Sequence, residues 1–389
     1  MGSGEVLQIG AGNIGRALVG DIMASAGLHV TFADVAQDLI DHINAEGGYP
    51  IEIVSLDGSN TKHVEGVSAI SSLDEDAMVE KIVNADFITT AVGAGILPRV
   101  APTLAKGLAA RMDQRDGDDL HVVVVACENM ERNTETLRDH ILEALPDDEM
   151  RAKVLANVSF PNAAVDRIVP NTASQNDHPL SVITEDYFQL AIDANGLLTD
   201  IPEVGGLDVV ADLEATLAQK LFTLNGAHAA TAYWGYLKGH PTIDVAMGDD
   251  SIRTMVDGLM AEVSQTLVTN YPSITAETQQ TFVDKVIRRF LNPYLKDETS
   301  RVGREPKRKL SKTDRLVRPA LRALEDGATP VNLLAAIVAG FRFNSPEDPQ
   351  SQEIAEAIST QGIQATVAEV TGLDAGHPLV GAVVAGWEA

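Results

Sequence analysis

The chain has 389 residues, long enough for two domains that share an interface. With 45% hydrophobic and 22% charged residues and neither a low-complexity tract nor a repeating period, its composition excludes disordered, collagen-like and solenoid architectures. The net charge of -27 argues against general nucleic-acid binding.

The single cysteine, Cys127, cannot form an intrachain disulfide, and no Cys/His spacing suits zinc. No apolar run approaches the roughly 20 residues of a membrane span, and the first residues lack the pattern of a secretory leader. A cytoplasmic location, with no membrane and no nucleic-acid partner, is therefore expected. The charge is uneven: residues 285–318 hold twelve Lys/Arg against four Asp/Glu, a local balance of +8 that leaves -35 elsewhere. Such a segment suits an anionic visitor.

In chain order, residues 6–9 are a short apolar strand closed by glycines. Residues 14–26 have helical spacing ending at Gly27, and 29–33 form a second strand. A helix is expected over 36–45, a hairpin insertion from 51–56 and 63–70, and a helix over 74–83. A buried strand at 87–92, a helix at 96–112 and an apolar strand at 120–126 follow. This alternation predicts an α/β class, a doubly wound parallel Rossmann sheet whose ligand lies beyond the carboxyl ends of its strands. Thr90 and Val92 leave one such end.

From about Asp212 the pattern turns to long helices over 213–238, 251–270, 276–291, 319–324, 331–341 and 353–368. The expected domains are 1–195, binding the dinucleotide, and 196–389, a mainly α-helical C-terminal domain carrying substrate and catalysis.

The strand at 6–9 runs into Gly10-Ala11-Gly12-Asn13-Ile14-Gly15. Gly10 permits a tight turn, Gly12 lets the backbone approach a pyrophosphate, and Gly15 allows close packing of a helix whose N-terminus faces the phosphates. Asn13 and Ile14 line the same loop. Asp34 ends the second strand, where a carboxylate accepts hydrogen bonds from the adenine ribose and repels a 2'-phosphate, selecting NAD over NADP. FAD proteins share the glycine fingerprint.

The helix over 213–238 carries Lys220, Asn225 and His228 within a largely apolar or small stretch. At 100 degrees per residue these offsets of five and eight span an arc of roughly 140 degrees. An interior lysine with a depressed pKa is a familiar general base. The same spacing equally suits a snorkelling lysine, an asparagine satisfying backbone groups and a core histidine.

Residues 9–20 (IGAGNIGRALVG), 31–35 (TFADV), 89–93 (TTAVG), 126–130 (ACENM), 164–170 (AVDRIVP), 220–228 (KLFTLNGAH), 290–297 (FLNPYLKD) and 301–316 (RVGREPKRKLSKTDRL) run through nearly the whole chain. On these stretches it resembles the polyol-specific long-chain dehydrogenase/reductase, or mannitol dehydrogenase, family, and its phosphate-specific branch most. The resemblance implies an active site in the cleft between a Rossmann and a helical domain, no metal, and a monomer or weak oligomer.

The resemblance makes Lys220 the general base, Asn225 a donor to the developing carbonyl oxygen, and His228 the residue that orients substrate or Lys220. The reaction it implies is the NAD-dependent interconversion of mannitol 1-phosphate and fructose 6-phosphate. Glu128 and Asn129 would tune Lys220 or hold a ribose. Asn162 is a substrate contact or a turn cap, and Asp166 and Arg167 would pair with each other.

A sugar phosphate needs guanidinium or ammonium groups. Arg301, Arg304, Lys307, Arg308 and Lys309 follow Asn292-Pro293, and Asn292, Arg301, Arg304 and Lys309 are the candidate contacts, Arg304 and Lys309 foremost. Charge runs also serve as solvated faces. An unphosphorylated polyol or hexuronate is the alternative substrate, and a nonenzymatic NAD sensor the alternative class.

Overall fold

The computed structural model describes residues 4–170 and 178–389. The chain divides into two units, Met1–Leu213 and Glu214–Ala389.

In the first unit the strands are β1 (Glu5–Ile9), β2 (His29–Asp34), β3 (Gly48–Ser55), β4 (Gly58–Glu65), β5 (Val67–Ser71), β6 (Phe87–Thr90), β7 (Val122–Ala126), β8 (Val158–Ser159), β9 (Ala163–Asp166), β10 (Val182–Glu185), β11 (Gln189–Asp193) and β12 (Leu207–Val210). The main sheet has the order β5-β2-β1-β6-β7-β8, and every neighbouring pair is parallel. Chain order runs outward from β1 in both directions, so the switch point lies between β1 and β6, where such sheets bind ligands. Helices cover both faces, which explains the nearly uninterrupted apolar runs of β1 and β7.

Two three-stranded sheets, β10-β3-β4 and β12-β11-β9, complete this unit. Because β12 pairs in parallel with β11, the unit runs on to Leu213, past the boundary at residue 195 expected from the sequence. The expected hairpin also changes. The strand anticipated over 63–70 is two strands: β4 ends at Glu65, Gly66 turns the chain at φ +74°, and β5 joins the main sheet beside β2. Val64 and Val67, three apart on either side of Gly66, break the two-residue period of a single strand, a signal that the reading of one strand over 63–70 passed over.

Below the sheet Arg111, 1% exposed, holds the N-terminal ends of the strands. Its guanidinium donates to the carbonyls of Val83 (2.8 Å), Ala85 (2.7 Å), Asp119 (2.8 Å), Leu120 (2.9 Å) and His121 (2.7 Å). Burial, with Arg115 nearby, lowers its pKa to about 10, which leaves it cationic at neutral pH.

The second unit is helical, built around Ala227–Leu237, whose Ala227, Ala230, Ala232 and Tyr233 are completely buried. Small side chains there let Asp250–Asn270 and Val331–Arg342 contribute to one core around it. The helix expected over 353–368 is two, Pro349–Gln361 and Ile363–Thr371, broken at Gly362 with φ +84°. Helices Asn133–Ala144, Asp148–Asn157 and Pro378–Glu388 stand where the sequence reading placed none.

Candidate active site

The glycine loop has the stereochemistry its sequence demands. Gly10 sits at φ +94°, and a Cβ on Gly15 would lie 2.1 Å from the Gly10 carbonyl oxygen. A Cβ on Gly12 would meet nothing within 4 Å, so the face that Gly12 leaves bare is open to a ligand. From Gly15 to Gly20 the following helix is wound as a π-helix before it continues as Asp21–Ser25. Asp34 accepts the Ala11 amide hydrogen through Oδ2 (2.7 Å) and that of Ala36 through Oδ1 (3.0 Å).

Arg16, not anticipated from the sequence, is 6% exposed, and its Nη2 donates to Asn13 Oδ1 at 3.4 Å. Its Nε and Nη1 are buried without a hydrogen-bond partner among the described residues. Burial lowers its pKa, while Tyr49 and Asp34 act the other way. An open glycine face, a helix N-terminus and an under-partnered guanidinium together fit a pyrophosphate.

Glu128 is 4% exposed and ties two strand ends together: it accepts from Thr90 Oγ1 (2.8 Å) and from the Val92 amide (3.0 Å). Asn129 is exposed. Asn162 Oδ1 accepts the Glu135 amide at 3.0 Å, in the first turn of Asn133–Ala144, which is the capping alternative foreseen for it. Arg167 forms a buried ion pair with Asp21, at 2.7 Å. The Cys127 thiol is buried, which pushes its pKa up.

In the second unit Lys220–Gly226 is also a π-helix, between Leu213–Gln219 and Ala227–Leu237. The π pattern joins residues i and i+5, so Lys220 and Asn225 come onto one face, closer than an α-helix would place them. Both are half-buried. His228 stacks on Phe290, with ring centroids 5.0 Å apart and planes 20° from parallel. Its Nε2 lies 2.8 Å from Asp297 Oδ2. Burial lowers the His228 pKa, Asp297 opposes this, and Arg301 and Lys309 reinforce it.

Asp297 also accepts from Arg301 Nε at 2.9 Å. Burial works to raise its pKa, but His228 and Arg301 outweigh that and hold it below the ordinary carboxylate value. Lys309 is 8% exposed and its Nζ donates to the Val302 carbonyl at 2.5 Å. Burial, with Arg315 and Arg308 nearby, brings its pKa down to about 7. Arg304 is exposed, and its Nε donates to the Arg301 carbonyl at 3.3 Å. Asn292 is 5% exposed and its Oδ1 accepts the Tyr294 amide at 3.1 Å.

Residues 4–206 match the mannitol dehydrogenase Rossmann domain, and residues 212–389 match the mannitol dehydrogenase C-terminal domain. The chain belongs to the mannitol dehydrogenase family. Its fold is that of the Pseudomonas fluorescens mannitol 2-dehydrogenase, solved as a ternary complex with NAD and D-mannitol. The TM-score is 0.78 at 18% identity, over 99% of this chain and 91% of that one. A D-sorbitol dehydrogenase in substrate-free form gives a TM-score of 0.81 at 16% identity, over 100% of this chain and 93% of that one.

Within this member of the mannitol dehydrogenase family, the fold brings His228, Asp297 and Arg301 together and sets Lys220 and Asn225 on one helical face. Much of the remaining basic segment is balanced internally: Lys307 pairs with Glu353, Arg308 with Glu305, and Arg315 with Asp314. Asp297 was missed from the sequence, although its spacing of four before Arg301 is an ion-pair signal. No residue pattern announced Arg16.

Proposed function

We propose that the chain catalyses the NAD-dependent oxidation of D-mannitol 1-phosphate to D-fructose 6-phosphate and the reverse reaction. The observation that carries this reading is the arrangement in the second unit. Lys220 and Asn225 share one face of a π-helical turn, and Asp297 links His228 to Arg301 at the head of the basic segment. The family and the glycine loop support an oxidoreductase acting on a polyol. The cofactor is NAD: Gly10, Gly12, Asn13, Ile14 and Gly15 would receive its pyrophosphate, and Asp34 its adenine ribose.

When bound, NAD takes up the hydride released from C5. Lys220 removes the proton of the C5 hydroxyl, and in the reverse direction returns it. Asn225 donates to the oxygen as it becomes a carbonyl, offering a dipole already in place for the charge that develops there. Arg304 and Lys309 hold the phosphate, with Arg301 and Asn292 beside the sugar.

The internal pairing of Arg301, Lys307, Arg308 and Arg315 favours a second reading, an unphosphorylated polyol as substrate. One assay separates the two. Purified protein is given NADH with fructose 6-phosphate or with fructose, and oxidation of NADH is followed. The proposal expects strong preference for the phosphate ester. Equal efficiency rejects the phosphate handle, and full turnover by Lys220→Ala rejects the assigned base.

A further inference from the structure

The catalytic triplet and the basic segment meet at one buried carboxylate. Asp297, with a side chain only 3% exposed, holds its Oδ2 2.8 Å from His228 Nε2, a close approach without hydrogen-bond alignment, and its Oδ1 accepts from Arg301 Nε at 2.9 Å. We propose that Asp297 is a positioning residue for the polyol, fixing His228 as a hydrogen-bond acceptor and Arg301 as a donor on the substrate. This inference rests on the reading that His228 and Arg301 face the substrate.

The chemistry follows from what a carboxylate can do. An ionised carboxylate only accepts, so a bare lone pair on Nε2 at 2.8 Å would face another lone pair, and the close approach favours the tautomer with its hydrogen on Nε2. In a neutral ring the other nitrogen, Nδ1, then has a bare lone pair and can only accept. Burial and the nearby cations Arg301 and Lys309 favour the neutral ring, against the pull of Asp297. Phe290, stacked on the imidazole, holds the plane of the ring in which that lone pair lies.

Arg301 is the complement. A guanidinium has donors on several edges, and pairing through Nε leaves its orientation defined. A polyol hydroxyl both donates and accepts. A fixed acceptor and a fixed donor, tied to one carboxylate, would therefore select the direction of hydrogen bonding along neighbouring hydroxyls.

The backbone is built to hold Asp297 there. Lys296, the residue before it, has φ +47°, and Glu305, after the helix of Arg301, has φ +59°. Non-glycine residues enter this region only where the surroundings impose it. The Asp297 carbonyl accepts the Ile243 amide at 2.9 Å, the Thr299 amide donates to the Pro241 carbonyl at 3.0 Å, and Thr299 Oγ1 donates to the His240 carbonyl at 2.8 Å. The turn is thus fastened to the segment that follows the His228 helix.

The test uses the full chain with 15N-labelled histidine, His228 being assigned by its absence in His228→Gln. At neutral pH the long-range spectra should show Nε2 protonated and Nδ1 unprotonated. The opposite tautomer, or an imidazolium, overturns the proposal, and this measurement needs no folded variant of Asp297. In Asp297→Asn, kcat/KM with fructose 6-phosphate should fall about 10- to 100-fold. The Kd for NADH should hold, and His228 should lose its single tautomer. Wild-type kcat/KM with an unchanged tautomer rejects the role of Asp297. Full activity of His228→Gln would instead reject the placement of His228 at the substrate.

Discussion

Asp34 Oδ2 accepts the amide hydrogen of Ala11 at 2.7 Å, so the carboxylate that ends β2 also fastens the glycine loop that leaves β1. A residue expected to read the cofactor is at the same time part of the loop's own structure. Asp34→Ala should therefore raise KM for NAD and relax the rejection of NADP, while lowering affinity for both cofactors through a looser loop. Titration of NADH and NADPH fluorescence measures each, and an unchanged preference would show that Asp34 does not select.

Two glycines of one loop should fail in different ways. Gly12→Ala adds a methyl group that meets nothing within 4 Å, so thermal stability should match the parent while dinucleotide affinity falls. Gly15→Ala places its methyl 2.1 Å from the Gly10 oxygen, so it should lower Tm as well as binding. Equal loss of Tm in both variants would argue against the open face at Gly12.

Lys309 supplies a pH dependence with a definite sign. Its folded pKa of about 7 lies below the ordinary lysine value, so in the free protein the cation is present below that pH and lost above it. A phosphate held by Lys309 must restore the proton. KM for the sugar phosphate should rise as pH increases through about 7, by at most tenfold per pH unit, with little change in KM for NADH. Lys309→Met should flatten that rise and weaken the substrate at low pH.

Arg111 joins the N-terminal ends of strands and their connections by donating to backbone carbonyls. Arg111→Met removes the cation and strands those carbonyls, at a cost of roughly 3–5 kcal/mol. Denaturant titration of the protein without ligands should show it, and a midpoint within error of the parent would contradict the staple.

The glycine loop was legible because backbone sterics leave few residue types able to make it: φ +94° at Gly10 and the 2.1 Å contact at Gly15 both demand glycine. Central strands such as β7 were equally plain, since burial on both faces removes polar residues. The break between β4 and β5 was overlooked because a single glycine turns the chain within one run of strand-forming residues, although Val64 and Val67 lie three apart across it and so depart from a strand's period. Asp297 was hidden within a charge run, where one acid among many cations looks solvated. The contacts of Glu128 join strand ends that are distant in sequence, so no local spacing revealed them, and for Asn162 the sequence offered a cap without naming the helix it closes.

Both π-helical segments, Gly15–Gly20 and Lys220–Gly226, hold one residue more per turn than an α-helix would need. Removing a single residue from the second would let the backbone relax into regular α winding. Because the looser winding already absorbs that residue, the helix beyond the cut would keep nearly its present face, and the change would fall on the spacing of Lys220 and Asn225 themselves. For this chain, an insertion one amino acid long is confined to a single stretch of winding, a local slack that sets a lysine and an asparagine side by side without disturbing the helix that follows.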